Sequence, residues 1–167
     1  MKKWMIPGIG AAAVVLVIAV VVLTSGGKAD TGTPAGVTAA YLDAMKSGDY
    51  AKAYQYAGQE FDKEAYKNSE KKKKNVLAET YAQMEYEIGG EEIQDNKATV
   101  EVTVRNANYM ELLDQAIYET LKQGGDDAYT EQVYLENLKK AEKKEETVLV
   151  NYRLEEGEWV FDGSNSL

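Results

Sequence analysis

The sequence predicts an α+β protein: an N-terminal transmembrane helix, then an antiparallel sheet of about four strands covered by helices, in the order ααα-ββ-αα-ββ. Three observations carry this. Residues 5–23 are uncharged and mostly aliphatic. Two later segments alternate apolar and polar residues with the period of two that a half-buried strand needs. The stretches around them repeat apolar residues at helical spacing.

From Met5 to Leu23 eleven residues are Ile, Leu or Val. A helix of that length covers about 28 Å, close to the hydrocarbon thickness of a bilayer. Each aliphatic residue favours insertion by roughly 0.3–0.6 kcal/mol, and no charge opposes them. Lys2 and Lys3 put residues 1–4 in the cytoplasm, so the chain after Leu23 is expected outside a single-pass cell-membrane anchor. Gly27-Lys28-Ala29 has the small-x-small pattern of a signal-peptidase site, and cleavage after Ala29 would secrete the remainder. The apolar run exceeds the 7–15 residues of an ordinary signal core, which favours a retained anchor. Leu23-Thr24-Ser25-Gly26 is similar to a lipobox, but Gly26 stands where the lipid-bearing Cys belongs.

Residues 24–36 are rich in Gly, Thr and Ser and read as a flexible linker to a domain spanning 37–163, with 164–167 as a tail. Val37, Ala40, Tyr41, Ala44 and Met45 form one helical stripe, and Gly48 ends it. Asp49 caps a short second helix carrying Ala53, Tyr54 and Ala57. A third helix is expected from about Asp62 to Gln83, with a polar middle between Asn68 and Asn75. The period then becomes two: Met84, Tyr86 and Ile88, a turn at Asp95-Asn96, then Ala98, Val100, Val102 and Val104. Two helices follow, one with Leu112, Leu113, Ala116, Ile117 and Leu121 on its apolar face, the other with Val133, Tyr134, Leu135, Leu138 and Ala141. Val148, Val150, Tyr152 and Leu154, the turn Glu155-Glu156-Gly157, and inward Trp159 and Phe161 make the second hairpin.

Charge and composition exclude much chemistry. The 167 residues carry a net charge of −9, with no His and no Cys. Such acidity argues against nucleic acid, whose phosphates need clustered cations. No Cys-His metal site, Ser-His-Asp triad, thiol nucleophile or disulfide can exist. No cofactor motif is present, and no metal site or catalytic residue is expected.

The run from Val37 to Tyr54, with its Gly48-Asp49 step between two helices, resembles the start of NTF2-like (cystatin-like fold) domains. Gly157-Glu158-Trp159-Val160-Phe161-Asp162 resembles their last strand. The relatives implied are bacterial membrane-anchored or lipoprotein-type domains of unknown function. The resemblance implies a cone-shaped cavity between sheet and helices, in which enzymatic members place a His/Asp pair or a lone Asp. This chain has no His, and the inward strand positions supply no clear carboxylate.

Twelve tyrosines are the unusual feature. Tyr41, Tyr54, Tyr86, Tyr152, Trp159 and Phe161 are candidate pocket-lining residues for a small apolar or glycan ligand; the competing reading is ordinary core packing. Lys71, Lys72, Lys73 and Lys74 are candidates for anionic headgroup contact, or a solvated helix face. Glu91-Glu92, Asp126-Asp127 and Glu145-Glu146 read as soluble turns and element ends. The expected function is a non-enzymatic membrane-anchored module that binds a protein partner or a small ligand. The alternatives are an enzyme using a carboxylate and Tyr in the cone, and a secreted binding protein.

Overall fold

The structure is a computed structural model that describes residues 17–24, 29–68 and 71–162, with side chains from 29–68 and 75–162. Its elements are β1 (Val17–Thr24), α1 (Pro34–Ser47), α2 (Tyr50–Tyr56), α3 (Lys63–Asn68), α4 (Lys71–Ala82), β2 (Glu85–Gln94), β3 (Lys97–Asn106), α5 (Tyr109–Gln123), α6 (Asp127–Leu138), β4 (Lys144–Glu155) and β5 (Glu158–Phe161). The expected α+β class holds, with two helices, α3 and α4, where one was expected.

The four expected strands, β2 to β5, form an antiparallel meander, and β1 adds a fifth at the outer edge of β2. Residues 17–23 therefore differ from the membrane helix expected of them, while residues 5–16 of that segment lie outside the described residues. Val and Ile dominate the β1 stretch, and β-branched side chains suit a strand as well as an apolar helix. The edge of β2 supplies backbone partners for them. Among the described residues no helix is long and apolar enough to cross a membrane.

The linker ends earlier than expected, because residues 34–36 are buried in the first turn of α1. Thr33 caps that turn, accepting from the Gly36 amide at 3.0 Å, and Pro34 sits where no amide donor is needed. A Cβ on Gly36 would stand 1.7 Å from the Asp30 carbonyl oxygen, so this tight turn requires glycine. Gly48, at φ 75°, ends α1, and its amide reaches the Ala44 and Met45 carbonyls. The Asp49 carboxylate accepts from the Lys52 amide and starts α2.

Two cores result. In the first, α1 lays Val37, Ala39 and Leu42 on Ile88, Val100, Val102, Val150 and Tyr152 of the sheet. In the second, α4, α5 and α6 pack Val76, Leu112, Ala116, Tyr134 and Leu138. The α5–α6 hairpin is inserted between β3 and β4, whose ladder runs from Lys97↔Arg153 to Asn106↔Lys144 and closes its base. Each core holds one buried tyrosine by the same device. Thr38 Oγ gives its proton to the Pro34 carbonyl at 2.8 Å, so the Tyr152 hydroxyl, 2.5 Å away, donates to Thr38. Thr80 Oγ likewise donates to the Val76 carbonyl at 2.6 Å and accepts from Tyr134 at 2.7 Å.

These packings predict that Gly36→Ala costs at least about 2 kcal/mol through overpacking against backbone. Gly48→Ala, with open space around it, costs about 1–2 kcal/mol from its left-handed backbone alone. Urea denaturation should place the Gly36→Ala midpoint below that of Gly48→Ala. Tyr134→Phe should cost about 1 kcal/mol, the net worth of a buried hydrogen bond.

Candidate functional site

The aromatic residues proposed from sequence lie mostly in the first core. Tyr152 is buried and stacks edge-on to Phe161 at 5.0 Å, and half-buried Tyr41 meets the same ring at 5.1 Å. Tyr86 is buried and donates to Asp43 Oδ1 at 2.8 Å. Trp159 is half-buried against this cluster. Tyr54 stands apart, partly exposed, edge-on to Phe61 at 5.3 Å. Burial holds the phenols of Tyr41, Tyr86 and Tyr152 above their ordinary value. None of these six side chains lines any of the three surface cavities described below.

The buried carboxylate that sequence reading did not find is Glu91, only 5% exposed. Its position follows from a β-bulge. Ile88 pairs with Val102 and Glu91 with Val100, so Gly89 and Gly90 together oppose the single residue Glu101. The extra residue shifts the pleat by one, and Glu91 rather than Gly90 or Glu92 faces the core. The signal was present in the sequence: register counted back from the Asp95-Asn96 turn sets Glu91 opposite Val100. The Gly89-Gly90 pair instead read as a break.

Burial raises the Glu91 pKa, while a hydrogen bond from the Ala35 amide in the first turn of α1 opposes the rise. The carboxylate lies near enough for its charge to push up the Tyr152 phenol further. A carboxylate and a tyrosine are the groups that the enzymatic alternative read from the sequence calls for, but neither group borders a described cavity.

A second unusual group is Tyr50. Its ring packs edge-on to Tyr66 at 5.5 Å and Tyr81 at 6.4 Å, its hydroxyl is buried without a hydrogen-bond partner, and burial pushes its pKa up to about 12.

An open apolar site lies in the second core. A groove of about 700 Å³ runs between α4 and α5, with Val76 and Leu77 on one wall and Tyr109, Leu113, Ile117 and Leu121 on the other. Tyr134, Thr130 and Glu131 of α6 belong to it, and Asp126 and Asp127 stand at its end. Ile117 and Leu121 were expected to face inward with Leu112 and Ala116. They are 43% and 77% exposed, because α6 covers only one side of α5. Two smaller clefts are lined by polar and apolar groups alike: one near Glu111 and Lys144, which pair at 2.7 Å, and one between α1 and α2 that contains Asp43, Asp49 and Lys52.

Lys71 to Lys74 form the first turn of α4; their side chains lie outside the described residues. Asp126 caps α6, accepting from the Tyr129 amide at 3.0 Å. Glu145 pairs with Arg105 in the exposed part of the sheet. Among the described residues no group of three or more acidic side chains is arranged to hold a metal ion. The chain matches no family model, no curated protein and no solved structure.

Glu91 makes stability depend on pH in a definite direction. The unfolded chain ionises it near the ordinary 4.5, whereas the folded chain keeps its proton to higher pH. Its contribution is therefore greatest below 4.5, falls as pH rises through the window up to the folded pKa, and then levels. Glu91→Gln should be more stable than the parent at pH 7, with a difference that shrinks toward pH 4. Thermal melts across that range measure it.

Proposed function

We propose that the chain is a membrane-anchored, extracytoplasmic module of the NTF2-like kind that binds a partner through its helical surface and catalyses no reaction. The observation that carries the binding reading is a contrast. The helix-covered face of the sheet is filled by Tyr86, Tyr152, Trp159 and Phe161, while an apolar groove stands open between α4 and α5. Open apolar surface of this kind favours contact with another molecule over enclosed chemistry. The NTF2-like reading draws support from the α1–α2 pair, joined by the Gly48-Asp49 step, with α1 lying on an antiparallel sheet. Fold likeness alone would not assign an activity.

Residues 5–23 would serve as the anchor. Insertion of that whole segment requires β1 to leave the edge of β2, which then becomes the sheet's edge strand. One observation favours the enzymatic alternative, the buried Glu91 close to Tyr152. That reading needs an opening to the pair, and none of the described cavities provides it.

Fractionation of cells producing the chain with a C-terminal epitope tests the anchoring. Full-length chain in the membrane fraction, with the epitope removed by protease added to intact cells, is the expected result. A product in the medium that begins at Asp30 would establish secretion instead. Epitope protected from external protease would contradict the orientation.

A further inference from the structure

We propose that the groove between α4 and α5 receives a basic amphipathic helix of a partner protein, seated beside α6 as a fourth helix. The proposal rests on the reading of the domain as an interaction module and names the partner's chemistry. Both α4 and α5 pack on α6, and among the described residues they touch each other little, so the three helices leave a slot where a bundle would hold another. Leu113, Ile117 and Leu121 follow one another at intervals of four along the α5 wall and face Leu77 of α4 across the slot. From Tyr109 to Leu121 that wall is about 18 Å long, room for roughly three turns of helix. Leu121, the most exposed of the row at 77%, stands ready to fit between the side chains of such a helix.

Charge selects the occupant. Among the described residues, those lining the groove include Asp126, Asp127 and Glu131 and no Lys or Arg. A helix with apolar residues at i, i+3, i+4 and i+7 and Lys or Arg along their flank would meet apolar walls and carboxylates together. An acidic helix would meet repulsion. A second copy would set the same carboxylates against themselves on a chain of net charge −9.

The test is a titration of the full chain with a fluorescent Leu/Lys amphipathic peptide of about three turns, read by anisotropy. The chain is reconstituted in phosphatidylcholine nanodiscs, with empty discs as the control. If fractionation finds the chain in the medium, the released chain is titrated without discs, so failure of the anchoring reading leaves this measurement intact. The expected result is saturable binding that weakens as salt is raised, and none by the same peptide with Glu in place of Lys. Leu121→Glu and Ile117→Glu should each weaken binding tenfold or more while the melting curve stays cooperative, since Leu121 is mostly in water and Ile117 partly so. Asp127→Asn should weaken it severalfold and flatten the salt dependence. Absence of binding, equal binding of the acidic peptide, or affinity unchanged by the α5 variants would each overturn the proposal. So would a chain that is dimeric by light scattering and becomes monomeric on Leu121→Glu, because a second copy would then fill the groove.

Discussion

An amphipathic helix must bury its apolar stripe against something, and α5 has chiefly α6 on which to do so. The first core is formed by α1 and the sheet, and the α5–α6 hairpin leaves that sheet at Asn106 and returns at Lys144. Beyond its base the hairpin builds a separate core with α4. Three helices cannot surround every apolar residue of the longest among them. Leu112 and Ala116 go inside, while Ile117 and Leu121, which point further round the helix, stay partly and mostly in water. Full burial of such a side chain is worth about 1.5–3 kcal/mol, so leaving two uncovered on one helix is a standing drive toward association. The functional reading follows from that imbalance. α4 matters to both halves, since it packs on α1 and on α6 and so fixes one wall of the groove relative to the sheet.

One buried phenol in each core is held in the same way. Tyr152 and Tyr134 each end on a threonine whose own proton is committed to a helix carbonyl four residues earlier. Neither phenol is left as an unpaired buried donor, which would cost about 1–3 kcal/mol. Glu91 is the exception in kind. The bulge at Gly89-Gly90 turns it inward, and the amide of Ala35 meets it at the positive end of α1. The same bend therefore shapes the sheet and places its one buried carboxylate.

Much of this was legible in the residues. Ala98 to Val104 and Val148 to Tyr152 alternate cleanly because one face of each strand is buried, and the turns at Asp95-Asn96 and Glu156-Gly157 fix their partners. Gly48-Asp49 marked the step between α1 and α2. Three features were hidden for separate reasons. A Val-rich run satisfies a strand and a membrane helix equally, so residues 17–24 carried no periodicity to separate them. The Gly89-Gly90 bulge looks like a break unless register is counted from the far turn. Helical spacing gives the direction of the α5 stripe, but says nothing of how many neighbours stand ready to cover it; hence Ile117 and Leu121 were placed inside. A cavity and ordinary packing both put aromatic rings on inward faces, so the tyrosine pattern alone does not separate them.

The two cores differ in where the molecule is open to an apolar visitor. Methyl NMR of the full chain, labelled at Ile, Leu and Val and titrated with xenon, locates that directly, because a dry cavity or groove shifts the methyl signals that line it. The predicted result is concentration-dependent shifts at Leu77, Leu113, Ile117 and Val76 with none at Ile88, Val100, Val102 or Val150. Shifts at those sheet methyls, with the α4–α5 methyls unmoved, would show an open cone under α1 and contradict the account.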